Sequence, residues 1–151
     1  MLKLSKKSDY GLIAMRHLAS KESGGACNTM EIAKAYGIPS ELLAKVLQKL
    51  VKNGLLISQH GVEGGYTLAR HPSSVTAFDV IRAIDGPLLI TSCVTARGEC
   101  SQASTCTVRE PLSKVNEVIA KALSSVTVAS LGESNGSADQ KGPDFVQIGN
   151  L

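Results

Sequence analysis

A broad apolar stripe along residues 40–52 constrains the fold of this chain more than any other feature. Its members recur at helical spacing and must pack on a core: Leu42, Leu43, Val46, Leu47, Leu50 and Val51. The opposite face of the same predicted helix is polar: Glu41, Lys45, Gln48, Lys49 and Lys52. A shorter predicted helix, TMEIAKAY, precedes it and ends at Gly37. Such a pair is typical of a helix-turn-helix, and a plain helical hairpin with a solvated outer face is the alternative.

The segment that follows favours the helix-turn-helix. LLIS and YTLA predict two short strands, and the glycine-rich stretch QHGVEGG between them predicts a hairpin. A hairpin directly after a helix-turn-helix is a wing, whose tip can reach the DNA minor groove. The glycines do not predict a dinucleotide site, because their spacing differs from G-x-G-x-x-G and a strand follows them.

The other predicted elements are helices. Residues 5–20 have helical periodicity. Thr76 and Asp79 predict a capping box for the helix AFDVIRAID. Pro111 suits the first turn of a last amphipathic helix, which we expect to reach about Leu131.

We therefore predict a mainly α protein, a winged helix-turn-helix with a two-stranded wing and a long C-terminal dimerisation helix. The expected divisions are a DNA-binding domain over 1–86, a cysteine-rich cluster-binding loop over 87–110, a dimerisation helix over 111–131 and a disordered polar tail over 132–151. The last helix needs a partner for its apolar stripe, and a second copy of the chain is the economical choice.

Charge and composition narrow the function. The net charge is only +3, but the lysines and arginines of the first 70 residues are about twice as many as the acids there. This bias indicates a polyanionic partner, and a solvated surface that happens to be basic is the alternative. Aromatic residues make up 3% of the chain, too few for stacking on single-stranded nucleic acid. No membrane span or signal peptide is predicted, so we expect a cytoplasmic protein. No nucleophile–base pair or phosphate-cradling loop indicates an enzyme.

Three of the four cysteines lie in one Gly/Ser/Thr-rich segment, with the spacing C-x6-C-x5-C: Cys93, Cys100 and Cys106. In a reducing compartment such clustered thiols indicate ligands or redox sensors rather than structural disulfides. The absence of C-x-x-C argues against a zinc ribbon or knuckle. Spacing alone leaves an iron–sulfur cluster, a zinc ion and reactive thiols as alternatives.

The remaining thiol and the three histidines have simpler interpretations. Cys27 follows the first predicted helix and is expected to be a lone buried or solvent thiol, with metal ligation as a second choice. His17, His60 and His71 have no cysteine or carboxylate at catalytic spacing, so we expect them in surface or packing roles.

These segments, taken in order, resemble the winged-helix repressors of the Rrf family, which include IscR, NsrR, RirA and the regulator of SUF cluster assembly. The resemblance rests on LSKKSDYGLIAMRHLA, IAKAYGIPSELLAKVLQKLVKNGLL, GGYTLAR, VTAFDVIRAIDGPL, the triple cysteine and VNEVIAKALSSVTVASL. It covers the chain to about Leu131. The opening LSKKSDYG and the closing SSVTVASL look most like the SUF-system branch.

The resemblance implies a homodimer that binds a labile iron–sulfur cluster, [2Fe-2S] or [4Fe-4S], through Cys93, Cys100 and Cys106. Asp9 stands at the position where the NsrR type supplies a carboxylate ligand from the partner subunit, and capping of the first helix is its alternative role. In the IscR branch a histidine stands three residues after the last cysteine, where this chain has Arg109, which cannot ligate a metal.

For DNA, we expect two protomers to read the half-sites of a palindromic operator. Bases are assigned to Glu41, Lys45 and Gln48, and phosphates to Ser40, Lys49 and Lys52. His60 and Tyr66 are the expected contacts from the wing. The wing departs from the family pattern, which usually has arginine in place of His60 and a Pro-Gly pair before GGY, and Glu63 is unfavourable near phosphates.

The function expected from these features is a cluster-dependent repressor of iron–sulfur assembly or iron and redox stress genes. One alternative is a DNA-binding regulator that senses oxidants through thiols without a metal. Another is a cluster carrier or redox protein whose helix-turn-helix is only a scaffold.

Overall fold

The computed structural model describes residues 3–21, 24–91 and 100–133. They form six α-helices and a β-hairpin, in the order α1 (Lys6–Ala19), α2 (Thr29–Tyr36), α3 (Ser40–Lys52), β1 (Leu56–Gln59), β2 (Gly65–Leu68), α4 (Ala77–Asp85), α5 (Arg109–Ser125) and α6 (Val128–Glu133). A short 3-10 turn, Pro72–Ser74, precedes α4. The predicted mainly helical winged fold is confirmed. Across these ranges, no helix has both the length and the apolarity to cross a bilayer.

Helices α2 and α3 form the helix-turn-helix. Asn28 caps α2, and its side-chain oxygen accepts the backbone N–H of Glu31 at 2.8 Å. The helix ends at Gly37, whose φ of 63° lies in the left-handed region that favours glycine. The inner face of α3 is almost wholly buried: Leu43, Val46, Leu47 and Leu50, each at most 1% exposed. Because these residues share one side of the helix, the polar side must face outward.

Helices α1 and α4 complete the core around α3. Gly11 of α1 lies against Ile84 of α4, and a Cβ at position 11 would collide with the Ile84 side chain, so glycine permits this close approach. At the end of the same contact, the buried Ser8 donates its hydroxyl hydrogen bond to Asp85 at 2.7 Å. Ser5, the N-cap of α1, donates to the same carboxylate at 2.6 Å. The start of α1 and the end of α4 are therefore joined by hydrogen bonds.

The capping box predicted for α4 is confirmed. The Thr76 hydroxyl accepts the N–H of Asp79 at 3.1 Å, and the Asp79 carboxylate accepts the N–H of Thr76 at 3.0 Å. Two of the otherwise unpaired donors at the start of the helix are thus satisfied.

The C-terminal helical region starts earlier than predicted. Helix α5 begins at Arg109, two residues before Pro111. The proline remains in the first turn, where a backbone N–H has no partner within the helix, so its missing donor costs nothing.

This region is also divided into two helices, where one helix to about Leu131 was predicted. The backbone is extended at Val126, whose carbonyl accepts the N–H of Ala77 at 2.8 Å, and Val128 donates to Val75 at 2.8 Å. The β-branched run Val126-Thr127-Val128 favours extended backbone, and pairing with the segment before α4 satisfies its polar groups. Helix α6 then packs on α1.

The two wing strands lie within one residue of the predicted segments. They pair in antiparallel register from Leu56 opposite Leu68 to Gln59 opposite Gly65, and residues 60–64 form the tip. On the free edge of β2, Cys27 and Tyr66 exchange two backbone hydrogen bonds, of 2.8 and 3.1 Å. Strand β2 of the wing is therefore anchored to the segment between α1 and α2.

Candidate nucleic-acid interface and cysteine segment

The outward face of α3 carries the residues that the sequence assigned to DNA. Five of them are exposed: Glu41, Lys45, Gln48, Lys49 and Lys52. Ser40, the first residue of the helix, is half-buried. This face therefore presents three lysines and one carboxylate on a rigid helix whose opposite side is packed into the core.

Lys49 also has a contact within the protomer. Its ammonium group donates to the backbone carbonyl of Ile84, in the last turn of α4, at 2.7 Å. Asn53, just after α3, donates to the carbonyl of Ala83 at 3.3 Å. A cation at the C-terminal end of a helix is stabilised by the carbonyls there. The end of α3 is thus docked on the end of α4, which the sequence did not reveal.

The two wing residues occupy different environments. His60 is exposed at the tip, beside Gly61, whose φ is 115°. Tyr66 is half-buried and packs against the hydrophobic core. Tyr66 therefore holds strand β2 against the core, and His60 lies where a nucleic-acid contact is sterically open.

Gly65 is required where the wing meets the Cys27 segment. A Cβ on this residue would collide with the backbone carbonyl of Cys27 and would lie 2.8 Å from the nitrogen of Asn28. Backbone atoms cannot move aside as the end of a side chain can, so the glycine permits the strand-like pairing of Cys27 with Tyr66.

The triple-cysteine segment is described in part. Cys93 lies outside the described residues. Cys100 and Cys106 are free thiols and half-buried. Between them the chain forms tight turns, with Ala103 donating to the carbonyl of Cys100 at 3.0 Å. Thiolates are the ligands that hold iron–sulfur clusters and also suit zinc, so these two partly accessible thiols are compatible with either metal.

Asp9 lies in the first turn of α1, where a carboxylate is favourable to the helix dipole. Its carboxylate is 3.9 Å from the ammonium group of Lys6, and both side chains are substantially exposed. Within one protomer, the described residues do not bring Asp9 into a three-ligand group with Cys100 and Cys106. Ligation of iron by Asp9 of the partner subunit stays a prediction.

The structure brings together three other potential metal ligands, which the sequence pattern did not group. Nitrogen, sulfur and oxygen atoms of His17, Cys27 and Glu31 all lie within 4.8 Å of one another. They come from the end of α1, the segment paired with β2 and the start of α2. Spacings of ten and four residues across a loop form no recognisable motif, so no sequence signal could have found this group.

Lys21 lies beside this group. Its ammonium group is 2.7 Å from the Glu31 carboxylate. Hydrogen bonding with Glu31 and then with Cys27 raises the pKa of Lys21, and hydrogen bonding with Lys21 lowers the pKa of Glu31. Both groups are therefore charged at neutral pH.

The comparisons with known proteins cover most of the chain. The model of the Rrf2 family, described as an iron-dependent transcriptional regulator, matches residues 4–134. The helix-turn-helix-type transcriptional regulator Rv1287 of Mycobacterium tuberculosis is 41% identical over 87 residues, which are 58% of this chain and 54% of that protein. CymR of Bacillus subtilis is 36% identical over 87 residues, 58% of this chain and 63% of CymR. The matched segment thus spans less than two thirds of these relatives.

Two solved structures extend the likeness beyond that segment. The structure of B. subtilis CymR, described as the global cysteine regulator, has a TM-score of 0.72 at 29% identity and covers 89% of this chain and 98% of its own. IscR of T. potens has a TM-score of 0.66 at 29% identity and covers 88% of each chain.

A short helix, a turn, a helix with a basic outer face and a β-hairpin define a winged helix-turn-helix protein. Because the family model matches residues 4–134, the chain belongs to the Rrf2 family. That is a family of transcriptional regulators and not of enzymes, as the sequence predicted.

Replacing Gly65 by alanine tests how the wing is anchored. We expect a loss of about 1–3 kcal/mol in the free energy of unfolding, because the new methyl group forces two backbones apart. The amide hydrogens of Cys27 and Tyr66 should exchange faster in hydrogen–deuterium exchange. Gly132→Ala is the control, since a Cβ at that position meets no atom within 4 Å. Unchanged protection at Cys27 and Tyr66 in the Gly65 variant would contradict this account.

Proposed function

We propose that the protein is a homodimeric repressor that binds a palindromic DNA operator and responds to an iron–sulfur cluster held by Cys93, Cys100 and Cys106. The observation that carries the proposal is the place of this cysteine segment, between α4 and α5, in a family described as iron-dependent. The regulated genes are those of iron–sulfur assembly or of iron and redox stress. The SUF-system branch rests on the two sequence segments LSKKSDYG and SSVTVASL alone.

The outward face of α3 is suited to the DNA major groove. Its inner face is fixed in the core, so Glu41, Lys45 and Gln48 project from a helix of fixed orientation toward base edges. Ser40 and Lys52, the first and last residues of α3, are the phosphate contacts in this proposal. An ammonium group has three donors, so Lys49 can keep its bond to Ile84 and still contact a phosphate.

The dimer contact is assigned to α5. No residue of this 17-residue helix is buried in the described protomer. Its apolar residues Val115 and Val118 are 46% and 64% exposed. The neighbouring apolar residues Ile119 and Leu123 border a shallow cavity together with Leu88. We infer that this apolar stripe, about 25 Å long, packs against the same stripe of a second copy of the chain, which removes both from water.

The cysteine segment is coupled to the DNA-binding face through the end of α4. Lys49 and Asn53 bond the last carbonyls of α4 from one side, and Ser5 and Ser8 bond Asp85 from the other.

The chain then turns at Gly86, whose φ is 84°. Four residues later, the backbone N–H of Ile90 donates to the side chain of Asn116 in α5 at 3.2 Å, so this segment contacts α5. The cysteine segment is therefore connected to both the recognition helix α3 and the dimer helix α5, and its rearrangement would shift one helix relative to the other. Such a change alters the separation of the two recognition helices in a dimer.

A bound cluster would supply a redox-active iron centre held by thiolates. The chain's own contribution is the thiol set, of which Cys100 and Cys106 are free and partly accessible. Asp9 of the partner subunit completes the set in this proposal. An oxygen ligand there would leave one iron more weakly held than the others.

Replacing Cys100 or Cys106 by serine tests the cluster. We expect anaerobically purified variants to lose iron and visible absorption, because a hydroxyl is a poor iron ligand. They should also lose most of the difference in operator affinity between cluster-loaded and iron-free protein, measured on DNA selected from random sequence. Cys27→Ala is the control and should keep its iron. A colourless wild-type protein that still responds to oxidants would favour the metal-free thiol sensor.

Lys52→Met tests the DNA interface. Removing one lysine–phosphate interaction should reduce the slope of log affinity against log salt concentration by about 0.9, hence by about 2 for a dimer with two equivalent lysines. Lys114→Met, which removes an exposed lysine of α5 that pairs with Glu110, should leave the slope unchanged. A wild-type protein without salt-dependent DNA affinity would instead favour a cluster carrier.

Lys49→Met tests the coupling. We expect unchanged iron content but a smaller ratio between the operator affinities of cluster-loaded and iron-free protein, because methionine cannot form the hydrogen bond from α3 to Ile84. Lys45→Met is the matched control on the same face of α3. It should weaken both affinities equally and preserve the ratio, and an equal ratio in both variants would contradict the coupling.

A further inference from the structure

The group formed by His17, Cys27 and Glu31 has the composition of a metal site. It offers an imidazole nitrogen, a thiol sulfur and a carboxylate oxygen within 4.8 Å of one another. The three residues come from three different segments, so their meeting is a product of the fold. The group is separate from the cysteine segment between α4 and α5, and the function proposed above does not use it.

The imidazole of His17 provides independent support for a ligand here. Its Nε2 atom is shielded from solvent and has no hydrogen-bond partner among the described residues. A buried polar atom without a partner is costly and requires an explanation. The other ring nitrogen, Nδ1, lies 3.0 Å from the hydroxyl of Tyr36. An outer hydrogen bond of this kind orients metal-binding histidines and leaves the second nitrogen available for the metal.

We propose that His17, Cys27 and Glu31 bind a zinc ion, with water as the fourth ligand. Zinc accepts this mixture of nitrogen, sulfur and oxygen donors at about 2.0–2.3 Å, which places ligand atoms of a tetrahedral site roughly 3.3–3.8 Å apart. The three atoms, which lie within 4.8 Å of one another, therefore need to approach by up to about 1 Å, which is within the reach of a side-chain rotation. Glu31 is the residue that moves, because its side chain is 41% exposed while Cys27 is fully buried.

Charge balance favours the ion. A thiolate, a carboxylate and a neutral imidazole together carry two negative charges, which a divalent cation neutralises, so the complex adds no net charge to a partly buried site. In the metal-free protein, the Lys21 ammonium group lies 2.7 Å from the Glu31 carboxylate and neutralises its charge in place of the metal ion. Zinc and Lys21 therefore compete for the same carboxylate.

The ion would join the elements that hold the DNA-binding face. His17 lies in the last turn of α1, Glu31 lies in the first turn of α2, and the backbone of Cys27 pairs with Tyr66 of the wing. Zinc binding would thus fix the wing relative to the helix-turn-helix and raise the melting temperature as the zinc concentration rises.

The test uses the whole 151-residue chain with Cys93, Cys100 and Cys106 replaced by serine, so that zinc cannot bind in the other cysteine segment. Zinc alone is titrated against a chromophoric chelator, and cobalt alone is added in parallel to record thiolate-to-cobalt absorption. We expect one equivalent of zinc, loss of binding and of the cobalt absorption in Cys27→Ala, and at least tenfold weaker binding in His17→Gln. His71→Gln is the matched control for an exposed histidine and should bind like the parent.

Lys21→Met separates a metal site from a merely structural cluster. Removing the competing ammonium group should strengthen zinc binding several-fold. If Lys21 only forms a surface ion pair and does not compete with zinc for Glu31, the zinc affinity would stay unchanged, which would contradict the proposed competition. Absence of zinc binding by the folded parent, checked by circular dichroism, would overturn the proposal. Binding that persists in both Cys27→Ala and His17→Gln would overturn it equally, and neither result bears on iron binding by the other three cysteines.

Discussion

The burial of the inner face of α3 is the interaction on which the rest of this structure depends. Four aliphatic side chains, Leu43, Val46, Leu47 and Leu50, are removed from water. At about 1.5–3 kcal/mol each, their transfer contributes on the order of 10 kcal/mol before the entropy of folding is subtracted. That is comparable to the net stability of a whole domain. Because this face is held so firmly, the direction of the polar face of α3 is fixed as well.

A second feature connects this core to the rest of the molecule. The last turn of α4 accepts hydrogen bonds from the end of α3 and holds the start of α1 through Asp85, and the chain continues from it toward the cysteines. Helix ends have unpaired carbonyls, and here the carbonyls of Ala83 and Ile84 accept hydrogen bonds from Asn53, just after α3, and from Lys49 of α3. Because the end of α4 contacts α3, α1 and the chain leading to the cysteines, a displacement of that chain can be transmitted to α3. This is a physical basis for the regulation proposed above.

Much of the fold could be predicted from local patterns. The apolar spacing of α3, Gly37 at the turn and the Thr76–Asp79 capping box each have a local cause, and each was confirmed. The last helix was harder. The interruption at Val126 depends on pairing with residues 75–77, some fifty positions away, and only the weak extended preference of three β-branched residues indicated it.

The candidate sites divide in the same way. The sequence by itself determined which residues form the outward face of α3 and that three thiols share one segment, because helical periodicity and clustering are local properties. Only the tertiary structure decided that Lys49 bonds Ile84, that Gly65 admits the Cys27 backbone and that His17, Cys27 and Glu31 meet. Contacts of this kind depend on how helices and strands pack in three dimensions, and the spacing of residues along the chain carries no record of that packing.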